Sequence, residues 1–236
     1  MDEIISNGKL QIIIPILTGV IYFSAFKNGK NVCDRYLINY FLYLLWSISI
    51  FLYSSDVIEY DMSKNKGVTL FLVLGIFGII YGINIIENVW LRHILWITLL
   101  VILSMLFKEL YKRFNKEEIK SVLSKLVILL LLCIVLAILF PQYMNPKMEV
   151  ALIIGLIMVI IMRIIDSIIY DNKYSSIISY ITIFIFSVFV MYDTNRVIKY
   201  SKNCSNSKGG DYLGNVIDMF FNILNLFNNL LHIGSE

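Results

Sequence analysis

The chemistry available to this chain lies in carboxylates and amides set into apolar sequence. The stretch 212–233 reads Tyr-Leu-Gly-Asn-Val-Ile-Asp-Met-Phe-Phe-Asn-Ile-Leu-Asn-Leu-Phe-Asn-Asn-Leu-Leu-His-Ile. Asn215, Asp218, Asn222, Asn225 and Asn229 recur at steps of three and four. That spacing puts them on one stripe of a helix, with Phe, Ile, Leu and Met opposite. Carboxylates and amide carbonyls are hard oxygen donors, the ligands that calcium takes. A helix lying on a membrane surface would carry Lys and Arg on its polar face, and this stripe has neither. The stripe therefore reads as an interior seam or a water-lined path in which amides bond each other and hydrated ions. An interfacial helix or re-entrant segment is the other reading.

Three more ionisable residues stand in apolar runs. Asp193 closes the run Phe186-Ser-Val-Phe-Val-Met-Tyr-Asp-Thr-Asn-Arg196. A carboxylate toward a helix C-terminus opposes the macrodipole, so local stability does not explain it. Either Asp193 is functional, or it is a surface residue just past the membrane, paired with Arg196. Arg163 and Asp166 lie three residues apart, on one helix face. They read as a self-neutralising pair with Arg163 snorkelling, or as a site where Arg163 reaches a carboxylate on another helix. An ionisable group at membrane depth costs at least ~2.5–3.5 kcal/mol, so each needs a partner or a wet path.

These residues must be positioned by helices. The chain has 236 residues, of which 58% are hydrophobic and 16% charged. Soluble domains sit near ~45–50% apolar and ~25% charged, so a water-facing surface is excluded. Eight apolar segments run over 10–26, 36–53, 67–86, 89–107, 121–140, 148–170, 174–195 and 212–233. Most have the length of a membrane helix. None alternates as a strand would, and a membrane admits only helices or closed barrels. The fold expected is an all-α polytopic bundle in a lipid bilayer, one membrane domain over 1–236. The first segment, with Pro15 and Gly19, is short enough to span, lie in the interface or enter partway. Met1-Asp-Glu3 is acidic, unlike a cleaved signal peptide. The connection 108–120 mixes charges and reads as a solvated hairpin continuing its two helices. Gly78 and Gly82 form a small-xxx-small pair that suits bundle packing or a dimer face.

Several function classes drop out. Cys33, Cys133 and Cys204 are odd in number and scattered, which argues against a disulfide framework or metal site. Two histidines support no zinc or catalytic arrangement. No nucleophile motif, P-loop or dinucleotide fingerprint occurs, so neither an enzyme nor a cofactor is expected. A net charge of +3 does not suggest nucleic acid. Asn203-Cys-Ser205 matches the glycosylation acceptor pattern and is expected to be unused. Basic residues nearly balance between alternate connections, so charge alone does not orient the chain. The abundance of Ile, Asn, Lys and Tyr fits an AT-rich coding sequence, as in a large DNA virus or a protist.

The C-terminal third resembles the transmembrane Bax inhibitor motif family. Ile178 through Tyr192-Asp193-Thr194 is similar to its penultimate helix, which closes on Tyr-Asp-Thr. Asn222-Ile-Leu-Asn225-Leu226-Phe227 is similar to its last helix, where the pattern is Leu-Asp-Ile-Ile-Asn-Leu-Phe. The resemblance covers about 175–233 well, and the earlier segments by number and order. It implies seven helices over 35–233, with residues 1–34 an addition. It also implies an endoplasmic reticulum or Golgi membrane, a cytosolic connection between the last two helices, calcium leak and suppression of cell death. Members use two aspartates, one in each of the last two helices, as a pH-responsive gate. Asp193 matches the first, and Asn222 stands at the second. The family's arginine in its second helix has no counterpart in 67–86.

Two functions follow as expectations. One is a calcium leak protein or modulator of store calcium, with calcium or another cation passing along the stripe. The other is a non-conducting protein that contacts membrane death regulators through helix faces. Two close carboxylates share a proton because like charges resist joint ionisation. An Asp–Asn pair has no such repulsion, so this chain is expected to lack that switch unless Asp218, one turn before Asn222, compensates. Calcium flux in proteoliposomes followed against pH separates these cases. An acid-to-neutral gate is expected to vanish in Asp218→Asn, and its survival there excludes compensation by Asp218.

Overall fold

The computed structural model of the chain describes residues 7–27, 30–58, 66–204 and 210–234. These form eight α-helices, a 3-10 turn and one two-residue antiparallel ladder, Phe26–Lys27 with Lys30–Asn31. In chain order the helices are α1 (Asn7–Ala25), α2 (Tyr36–Val57), α3 (Lys66–Ile85), α4 (Val89–Tyr111), α5 (Lys116–Leu139), α6 (Pro146–Ile169), α7 (Ser175–Asn203) and α8 (Tyr212–Gly234). Seven, α2 to α8, are long and apolar enough to cross a membrane, and α1 is a shorter apolar helix. Helical structure follows from the setting: in hydrocarbon each backbone N–H and C=O must be satisfied within its own segment. Outward-facing residues such as Leu70, Phe71, Ile128 and Ile168 are large and apolar, as a lipid-facing surface requires.

The helix ends follow local chemistry. Asn115 caps α5 in a capping box, accepting from Glu118 N while the Glu118 carboxylate accepts from Asn115 N, both at 2.9 Å. The connection 108–120 is thus a tight turn between two continuing helices. Asn145 caps α6, with Pro146 following where its missing N–H costs nothing. Asp171 and Asn172 turn the chain with positive φ, the residue types that tolerate it best.

Packing groups the chain into two compact units. The first holds residues 1–113 and 204–216. Its core is aromatic and hydrogen-bonded. Trp46 donates to Thr18 (2.9 Å) and Trp96 to Ser47 (3.0 Å). Tyr36 stacks on Tyr212 with ring centroids 4.6 Å apart and donates to the Asp211 carbonyl at 2.7 Å. A side chain at Gly210 would meet the Tyr36 ring at 2.9 Å, which explains a glycine there. The second unit holds residues 114–203 and 217–236. It contains α5, α6, α7 and most of α8.

The structure differs from the sequence reading at three points. Cys33 and Cys204 form a disulfide across 171 residues, and Cys133 alone is the buried free thiol. Scattered spacing hid a pair that folding brings together, with Cα atoms 5.7 Å apart. Helix α7 runs on to Asn203, so Asp193 sits ten residues before its end and the macrodipole argument no longer bears on it. A two-residue ladder follows α1, and the all-α fold is as expected. A side chain at Gly78 would meet open space, so that glycine makes no close helix approach here. The acceptor pattern Asn203-Cys204-Ser205 ends on Ser205, outside the described residues.

The disulfide gives a direct test. In protein alkylated during cell lysis and then denatured without reductant, one thiol, that of Cys133, is expected to react. Reduction should raise the count to three, and Cys33→Ser or Cys204→Ser should free the partner thiol.

Candidate functional site

Helix α7 carries the site because its polar residues recur through two turns. Tyr192, Asp193, Asn195, Arg196 and Lys199 each reach a separate anchor. Tyr192 donates to Glu149 Oε2 at 2.6 Å, on the first turn of α6. Asn195 donates to the Ala137 carbonyl of α5 at 3.4 Å, and Lys199 to the Met144 carbonyl at 3.1 Å. These contacts fix the rotation of α7 and turn Asp193 inward, 3% exposed.

Asp193 Oδ2 accepts a hydrogen bond from Asn222 Nδ2 of α8 at 2.7 Å. Its other oxygen, Oδ1, pairs with the Arg196 guanidinium at 3.2 Å, one turn on along α7. The same guanidinium pairs with Asp218 Oδ2. Arg196 thus stands between two carboxylates, one buried and one half-exposed at 49%. A buried charge is costly unless paired and hydrogen-bonded, and Asp193 has both. Asn222, at the position where the family resemblance implies a second aspartate, donates an N–H to Asp193. Asp218, the acid expected to compensate if any does, meets Arg196, which also pairs with Asp193.

Arg163 and Asp166 take a third course beside the two expected. The Arg163 guanidinium donates to Ser179 Oγ of α7 at 3.1 Å and to Asn229 Oδ1 of α8. It reaches across to other helices, as one reading held, but to neutral groups and not to a carboxylate. Asp166 is buried and accepts from the Tyr174 backbone N–H at 2.9 Å, bracing the connection to α7.

The amide stripe is divided. Asn222 and Asn229 are buried, while Asp218 is exposed. Amide-to-amide bonding was expected, but Asn225 donates to the Phe221 carbonyl (2.8 Å) and Asn229 to the Asn225 carbonyl (2.7 Å), each four residues back on the same helix. Such back-bonding gives an Asn amide N–H an acceptor on its own helix. Asn215 belongs to the first unit, where it donates to the Asp211 carbonyl (2.8 Å) and to Tyr36 Oη (3.0 Å). Sequence reasoning missed Glu149 and Ser179. Glu149 carried a weak signal, an acid at the mouth of an apolar run. Ser179 carried none.

Two acids and an amide, converging beside an arginine on the last two helices, are now in place. A family profile described as "Inhibitor of apoptosis-promoting Bax1" matches residues 13–235. The chain belongs to the Bax inhibitor family. The match takes in nearly the whole chain of this Bax-inhibitor-like membrane protein, including most of α1. No curated protein and no solved structure matches it.

Removing Arg196 leaves the Asp193 carboxylate, 5% exposed, without its cation. Arg196→Ala should cost of order 1–3 kcal/mol, read as a lower melting temperature in detergent. Adding Asp193→Asn to that variant should recover part of the loss, because the stranded charge is then gone.

Proposed function

We propose that this Bax inhibitor family member is a calcium leak protein, or modulator of store calcium, that suppresses cell death from an endoplasmic reticulum or Golgi membrane. The observation that carries the reading is the Asp193–Arg196–Asp218 arrangement with Asn222. Three side chains bearing hard oxygens converge where one cation, the guanidinium, already sits. A divalent ion has the charge to replace it, and carboxylate and amide oxygens are suitable ligands for calcium. Half-exposed Asp218 would attract the ion. Arg196, also partly exposed, would swing aside. Asp193 and the Asn222 carbonyl oxygen would then take the ion inward. No catalytic residue enters this scheme, and the only ion is the one transported.

Orientation follows from a separate argument. The disulfide lies on the connections before α2 and after α7. Disulfides persist in oxidising compartments. That sets the bond against the cytosolic placement that the family resemblance implies for the α7–α8 connection, and the thiol count after alkylation at lysis decides between them.

A second reading is a non-conducting protein that contacts other membrane death regulators. One observation favours it: Arg196 fills the position a cation would need. Reconstitution into pure lipid separates the two. A leak protein should pass calcium, and Asp193→Asn should lower that flux several-fold. Store calcium in cells should rise back toward the control level with the same variant. Absence of flux from the wild type in pure lipid, with suppression of death retained, would leave the interaction reading standing.

A further inference from the structure

Arg163 is a charged residue inside an apolar helix, and an intramembrane ionisable group is functional by default expectation. It lies six residues before the end of α6, about 9 Å along the axis. Its hydrogen-bond partners, Ser179 and Asn229, are both neutral. Asp166, its neighbour one turn on, accepts from the Tyr174 N–H and acts on Arg163 through space without an ion-pair contact. Among the described residues no carboxylate lies within ion-pair distance of the Arg163 guanidinium. Arg196, in contrast, is held by two acids. The same helix face of α8 therefore meets two arginines in different electrical states. Arg196 is neutralised by Asp193 and Asp218, whereas Arg163 bonds only neutral groups at Asn229 and Ser179 and feels Asp166 through space. Seven residues separate Asn222 and Asn229, about 10 Å of helix rise.

Building on the conduction reading, we propose that Arg163 is the residue that limits cation passage and sets valence selectivity at the Asn229 end of the seam. A cation that leaves Asp193 and Asn222 along α8 must pass a fixed positive charge. Coulomb repulsion scales with the charge of the passing ion, so a calcium ion meets twice the barrier that potassium meets. In the exponential of a rate, twice the barrier is the square of the factor. Neutralising Arg163 therefore raises calcium flux by about the square of the factor by which it raises potassium flux.

The test is paired calcium and potassium flux from proteoliposomes of wild type, R163Q and R163K at equal protein. R163Q should raise both fluxes and shift the ratio toward calcium, and R163K should keep the wild-type ratio. Should R163Q fail to fold, R163M removes the same charge without adding a polar group. A conducting wild type whose ratio is unchanged in the neutral variants overturns this inference and leaves the conduction reading intact. Equal gains for both ions, as from a loosened bundle, overturn it as well. A silent wild type that conducts once Arg163 is neutralised supports it. Silence in every protein sinks both readings together.

Discussion

The arrangement of the second unit turns on a carboxylate buried in apolar surroundings. Asp193 is 3% exposed, and a lone ionised carboxylate there would be untenable. Its stability rests on two contacts from different sources, Arg196 on its own helix and Asn222 on α8. The first is geometrically cheap, because residues three apart on a helix are neighbours whatever else happens. The second requires α8 to present one amide at one height and one rotation. That constraint ties the register of α8 to that of α7. It gives the second unit a polar lock where apolar packing alone would tolerate sliding, since lipid tails are as apolar as the helix faces they would replace.

The neighbouring contacts serve the same constraint. Tyr192 to Glu149, Asn195 to Ala137 and Lys199 to Met144 hold α7 from three directions, over the two turns that bracket Asp193. This accounts for the length of α7. A helix ending near residue 195 would lose Lys199 and the turn that supports Arg196, so the run extends to Asn203 although its last residues are polar. At the other level, Arg163 is held by single neutral contacts on α7 and α8. The two levels thus differ in kind: one is an ion-paired knot, the other a cation in amide and hydroxyl hands.

Much of this was legible in the sequence because membrane helices are governed by length and apolarity, which single residues report directly. Segments placed at 36–53, 67–86, 89–107 and 212–233 all fall on helices within a few residues. The period of three and four located the α8 stripe, and intramembrane cost singled out Asp193 and Arg163. What stayed hidden was partner choice. Spacing shows that Asn222 and Asn229 share a face, but not that one would meet an acid and the other an arginine. Nor does it show that Asn225, between them, would bond its own backbone. Cys33 and Cys204 stayed unpaired in the reading for the same reason, since a separation of 171 residues leaves no local trace. Helix ends were missed where polar sequence continues a helix, as at 196–203, because hydropathy marks the apolar span and not the hydrogen-bonded one.

On the proposed conduction reading, Asn222 at the position where the family resemblance implies a second acid changes the kind of gate available. Two facing carboxylates make a proton the natural latch, because one shared proton relieves their repulsion and its loss drives them apart. An acid facing an amide has no repulsion to relieve. The Asn222 N–H satisfies Asp193 directly, and the remaining negative charge is met by a guanidinium that stays protonated at all physiological pH. On the proposed conduction reading, opening requires movement of Arg196 away from Asp193. The force available for that movement lies in Asp218, half-exposed and already bound to the same guanidinium. Any cation that neutralises Asp193 frees Arg196 to rest on Asp218 alone. On that reading Arg196 passes from two acids to one without becoming unpaired, so the ion's entry and the latch's release would be one electrostatic event.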